Sequence, residues 1–161
     1  MKNRTWIVAC MAALLIGSIV LESPSTGNGN RAQADSNDDK ATARAVEPSM
    51  HEFMEYVFQP PYKRLRAAMA SEPADNAAWK AIKSDSLILA EAGNLLLIRH
   101  PDENEDTWRS HAVEVRGLGG QFYQAARKKD YAAATQHWSA MLQKCNSCHK
   151  AFADGKYQLA P

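Results

Sequence analysis

The chain has 161 residues, 45% of them hydrophobic and 23% charged. That is enough apolar material for one globular domain with a real core, and it excludes a collagen, a coiled-coil rod or a disulfide scaffold. With 19 basic against 18 acidic residues, the balance gives no sign of a nucleic-acid footprint or a polybasic membrane patch.

The chain opens with Met1-Lys2-Asn3-Arg4 and then carries no charge from Thr5 to Leu21, the basic-then-apolar order of an export signal. Ala32-Gln33-Ala34 before Asp35 has the small-x-small form of a cleavage site, so residues 1–34 are expected to be a signal peptide. The spacer between Leu21 and that site is long and polar, which keeps an uncleaved N-terminal anchor as the alternative. The apolar run, however, falls short of the ~20 residues a spanning helix needs. Cys10 after Val8-Ala9 comes too early for a lipoprotein site and reads as a small apolar leader residue. Residues 35–47 continue a Ser-, Asn-, Asp- and Ala-rich stretch without aromatic side chains, the composition of a linker.

From residue 48 the apolar spacing is helical, and no segment has the period of two that marks a strand. A first helix begins near Pro48-Ser49 with Met50, Met54 and Val57 on one stripe and Phe53 alongside. Pro60-Pro61 should interrupt it, since proline lacks the donor and clashes with the preceding turn, and a segment from Tyr62 to Met69 should resume at an angle. Ser71-Glu72-Pro73 offers a cap and an early proline for a long helix running to about Ile98 through Trp79, Ile82, Leu89 and Leu96. After the acidic turn 102–106, a third helix places Trp108, His111, Val115, Leu118, Phe122 and Ala125 on one face. Gly117, Gly119 and Gly120 within it predict close approach by a neighbour, with a local break as the alternative, because each glycine costs about 1 kcal/mol against alanine. Beyond Lys128-Lys129-Asp130, a last helix aligns Tyr131, Ala134, Trp138, Met141, Cys145, Cys148 and Phe152, ending near Asp154-Gly155. Four main helices joined by short turns predict an all-α antiparallel bundle.

The stretch with the most chemistry in it is Cys145-Asn146-Ser147-Cys148-His149. Two cysteines three positions apart followed by histidine form the attachment pattern of a c-type haem. Each thiol can add across one vinyl group, and the adjacent imidazole can bind iron from one side. Other readings are a half zinc site, a thioredoxin-like pair and a plain disulfide. Zinc needs four ligands, and the remaining cysteine is Cys10 in the leader. A thioredoxin-like pair calls for a βαβ context, which is lacking. A disulfide closing so short a loop removes little unfolded-state entropy. Covalent haem c, one per chain, is the expected cofactor. In bacteria its attachment takes place outside the cytoplasm, which agrees with the leader and a periplasmic location.

With the motif in its last helix rather than near its front, the domain at 48–161 resembles the class II cytochromes c, the cytochrome c prime and cytochrome c-556 family. That family has the four-helix bundle with covalent haem on the C-terminal helix, and its up-and-down topology agrees with the helix count here. By this resemblance Cys145 and Cys148 hold haem, His149 binds iron, and the first helix presents a distal residue. In His51-Glu52-Phe53-Met54 the family spacing puts His51 near a haem propionate and Met54 toward the iron. The bland reading is that Met54, like Met50 and Met69, fills gaps in the core. His51 or Met50 as the sixth ligand, or none, are the alternatives. His111 is expected to be a hydrogen-bonded core residue or a propionate neighbour, and His100 and His137 surface residues. The family's usual basic residue four positions after the motif histidine is Ala153 here, with Lys150 and Lys156 off register.

Two functions follow from these expectations. A methionine ligand implies a low-spin one-electron carrier serving redox partner proteins. An open iron position implies a protein that binds NO or CO. No nucleophile with its base or acid–base pair near the motif suggests an enzyme. The resemblance also implies a homodimer as one arrangement, and a membrane partner only if the leader is uncleaved.

Overall fold

The computed structural model describes residues 43–161, so the expected leader, its cleavage site, Cys10 and most of the linker lie outside the described residues. Among the described residues there is no strand, and no helix is long and apolar enough to cross a membrane. The fold is an all-α four-helix bundle. Its first member is compound: α1 (Met50–Phe53), a π-helical turn (Met54–Phe58) and α2 (Gln59–Ala68). The other three are α3 (Asn76–Leu96), α4 (Glu105–Lys128) and α5 (Tyr131–Phe152).

The first helix does not break at the prolines, as the sequence suggested; it changes pitch ahead of them. Pro60 and Pro61 fall in the first positions of α2, where a missing N–H is tolerated. The turn before them widens so that Gln59 N–H donates to Met54 O, five residues back. This wider register accommodates two consecutive residues that have no donor, and such turns recur at functional sites. Ser49 caps α1 through its hydroxyl, which accepts from Glu52 N–H at 3.3 Å.

The long helix α3 also starts later than expected. Asp75, not Ser71, is its cap, with a carboxylate oxygen accepting from Ala78 N–H at 2.8 Å. Asp130 does the same for α5, accepting from Ala133 N–H at 3.0 Å. At the joint between α4 and α5, Lys129 sits at φ 56° and terminates α4 with a left-handed residue.

Of the three glycines in α4, one fulfils the expectation of close packing. A Cβ on Gly119 would come within 2.9 Å of Ala90 Cα on α3, whereas Gly117 and Gly120 face open space. Gly93 on α3 makes the reciprocal approach, with Arg116 N 2.9 Å from where its Cβ would be. Two glycines thus let α3 and α4 meet backbone to backbone. On the other side of α3, Arg64 of α2 grips Asp85 through two hydrogen bonds, Nε to Oδ2 at 2.9 Å and Nη2 to Oδ1 at 2.7 Å.

The buried side chains fall into two clusters. The larger joins Leu65, Trp79, Ile82, Leu89, Val115, Phe122, Trp138, Met141 and Leu142. The smaller is built from Phe53, Leu96, Trp108, Ala112 and Cys148, with Met50, Met54 and Phe152 packed against it. Trp108 in the smaller cluster satisfies its indole by donating to Leu96 O at 2.8 Å, and the Arg99 guanidinium lies 3.9 Å above the Phe53 ring.

Candidate functional site

The last helix runs through the cysteine motif without a break to Phe152. A spacing of three on a helix sets Cys145 and Cys148 on the same side, one above the other. Cys145 packs against the larger cluster and Cys148 is a member of the smaller one. The apolar stripe read from the sequence therefore does carry both thiols to the interior.

They line a cavity of about 530 Å³, within the roughly 300–1,000 Å³ range of cofactor and small-molecule sites. Its apolar wall comes from every member of the bundle: Met50, Met54 and Phe58 from the compound helix, Leu89 and Leu96 from α3, Trp108 and Val115 from α4, and Met141 and Leu142 from α5. Polar groups are concentrated on one stripe of the compound helix. His51, Glu55, Gln59 and Lys63 follow at intervals of four and all line the cavity. His51 Nε2 lies 3.4 Å from Glu55 Oε2, and Lys63 Nζ donates to Gln59 Oε1 at 2.7 Å.

The two motif cysteines are not joined to each other in a disulfide. Burial, with the neighbouring Cys148 adding to it, pushes the Cys145 thiol up to about 12. Burial alone pushes Cys148 up to about 11. Among the described residues, the group of three close donors is His51, Glu52 and Glu55, which contains neither cysteine.

His149 also lines the cavity, and its ring is held from behind. Nδ1 lies 2.9 Å from Tyr157 O. A carbonyl only accepts, so Nδ1 carries a proton, and of the two neutral tautomers this is the one that leaves the lone pair on Nε2, the form in which imidazole binds metals.

The first helix brings all three sequence candidates for a second axial ligand, Met50, His51 and Met54, to the same cavity. Met54 is partly buried at the start of the π-helical turn, while the His51 side chain is 68% exposed. His111 was expected to be a hydrogen-bonded core residue or a propionate neighbour, and the first of these is not what the structure shows. It lines the cavity edge-on to Phe152, with ring centroids 6.2 Å apart, but its Nδ1 is buried without a hydrogen-bond partner. The nearest carboxylate, Glu114, is 3.9 Å away and pairs instead with Lys144 at 2.8 Å. His100 is at the surface as expected, 3.6 Å from Glu105, whereas His137 is partly buried.

Several cavity residues carried no sequence signal: Tyr62, Tyr157, Gln158 and Leu159. The last three lie in the irregular segment after α5, where no periodicity announces which side chain turns inward.

These residues fit a covalently held haem. Two thiols one helical turn apart open on an apolar cavity of cofactor size, a metal-competent imidazole follows the second, and a polar stripe is available for carboxylates. No protein-family model matches the chain, and no curated protein matches it.

Proposed function

We propose that this chain is an exported monohaem cytochrome of the class II type and works as a one-electron carrier. The observation that carries this reading is the convergence of Cys145, Cys148, His149 and Met54, from two ends of the domain sequence, on one apolar cavity. Cys145 and Cys148 would hold haem c through two thioethers, His149 Nε2 would bind its iron, and the Met54 thioether would supply a second protein ligand to it. Bound there, the group supplies an iron that exchanges one electron between ferric and ferrous states.

The chain's own contributions follow from the geometry. Leu89, Leu96, Val115 and Met141 line the cavity with apolar surface, which would favour the state of lower net charge. The Met54 thioether is neutral and soft, so with His149 it suits an iron that gains and loses an electron without changing ligands. The stripe of His51, Gln59 and Lys63 offers donors to carboxylates at the wet edge.

An optical spectrum with carbon monoxide tests the carrier reading. A ferrous form that stays low-spin and ignores the gas is expected. The ferric methionine-to-iron band should be present in the wild type and absent in Met54→Ala. A high-spin spectrum that shifts with carbon monoxide, indifferent to that substitution, would replace the carrier by a gas-binding protein.

A further inference from the structure

The segment that follows α5 does not leave the molecule. Ala153 N–H and Gly155 N–H both donate to His149 O, at 2.9 and 3.0 Å, reversing the chain directly over the motif. The reversal needs left-handed backbone at Asp154 (φ 50°), Gly155 (φ 71°) and Tyr157 (φ 58°). Two of these are not glycine, and a tyrosine in that region is costly unless the surrounding structure holds it.

What holds it is visible. Asn146, inside the motif, uses both ends of its amide on Leu159, donating from Nδ2 to Leu159 O at 2.9 Å and accepting from Leu159 N–H at 2.7 Å. Tyr62 on α2 repeats the arrangement one residue later: its hydroxyl donates to Ala160 O at 2.9 Å and accepts from Ala160 N–H at 3.3 Å. Leu159 packs against the larger core cluster. Between these anchors and the end of α5 lies Tyr157, whose carbonyl receives the His149 Nδ1 proton.

We propose that this segment, clamped by Asn146 and Tyr62, is the positioning device for His149, with the Tyr157 carbonyl fixing the ring's tautomer and orientation. The inference rests on the haem reading for its consequence, but its geometry belongs to the chain alone. A carbonyl on Nδ1–H makes Nε2 a stronger donor and stops the ring from turning. A stronger axial donor favours ferric iron and lowers the reduction potential. Asn146 and Tyr62 act through Tyr157 and do not themselves touch the ligand position.

The test uses two substitutions at one residue. Tyr157→Gly keeps the carbonyl, because glycine occupies positive φ freely. Tyr157→Pro must move it, because proline is confined near −65°. The readouts, on the full chain as isolated, are solvent exchange of the His149 Nδ1 proton by ¹⁵N-histidine NMR and, where haem is present, the reduction potential. Helix content by circular dichroism establishes that each variant is folded. The wild type and Tyr157→Gly should protect the proton. Tyr157→Pro and Asn146→Ala should exchange it about fivefold faster, the factor expected of one lost net hydrogen bond, and should have a higher potential. Equal exchange in the glycine and proline variants of a haem-bearing chain overturns the clamp and leaves the haem reading standing. A chain that carries no haem yet shows the contrast overturns the haem reading and supports the clamp.

Discussion

At the scale of single residues, the glycines of α4 separate two effects that the sequence shows as one. Gly119→Ala gains helix propensity but drives a methyl into the Ala90 backbone, which cannot step aside, and a destabilisation of about 1–3 kcal/mol is expected. Gly117→Ala meets nothing within 4 Å and should stabilise by about 0.5–1 kcal/mol. Urea midpoints of the two variants check this, and shifts of the same sign would contradict the close approach of α3 and α4. Single residues also mark the limit of what could be read in advance. The inward stripe Trp138, Met141, Cys145, Cys148 was legible because a helix repeats every 3.6 residues, whereas the bare Nδ1 of His111 depends on where α5 places Phe152 and Lys144. Asn146 and Tyr157 looked ordinary because the bond that each makes spans a chain reversal with no local pattern.

At the scale of elements, pairings between helices decide the energetics more than propensity does. The Asp85 side chain is 9% exposed, and its carboxylate is satisfied by Arg64 across the α2–α3 contact. Arg64→Ala leaves that charge short of partners and should cost about 1–3 kcal/mol, less than a fully buried pair would, because Arg64 itself is half exposed. Arg64→Met with Asp85→Leu should recover most of the loss in a thermal denaturation series. A double variant as unstable as Arg64→Ala would show that the pair does more than satisfy itself. The start of α4 offers a pH signature. Glu105, hydrogen-bonded to Arg109 at 2.6 Å and near His100, is held below the usual carboxylate range, chiefly by the Arg109 bond. A lowered folded value contributes stability above the unfolded carboxylate's pKa of about 4.3, and loses it as pH falls through the folded value. Glu105→Gln should therefore melt below the wild type at pH 7 and converge with it near pH 2; an equal gap at both would contradict this assignment.

The elements themselves were largely legible, and the exceptions have specific causes. Ser71 was read as the cap of α3, but the Asp75 carboxylate four residues on is the group that reaches Ala78 N–H. Pro60 and Pro61 predicted a break, and the backbone absorbed them by widening one turn at Met54–Phe58 instead. That turn begins at the residue on which the axial-ligand assignment depends.

For the whole molecule, the architecture of four packed helices followed from apolar spacing and short connections. The cavity did not, because its volume is what remains when four faces and a returning segment have packed, and no stretch of sequence encodes a space. The central claim, that this space holds haem bonded to Cys145 and Cys148, is tested most directly by the mass, against the sequence from its determined N-terminus, of the polypeptide made in a host that matures c-type cytochromes. The predicted result is a polypeptide heavier by one haem, red after denaturation and acid-acetone extraction, with neither motif thiol open to alkylation, and a Cys145→Ala/Cys148→Ala variant without the added mass. A colourless polypeptide of unmodified mass, with both thiols alkylated once unfolded, would contradict it.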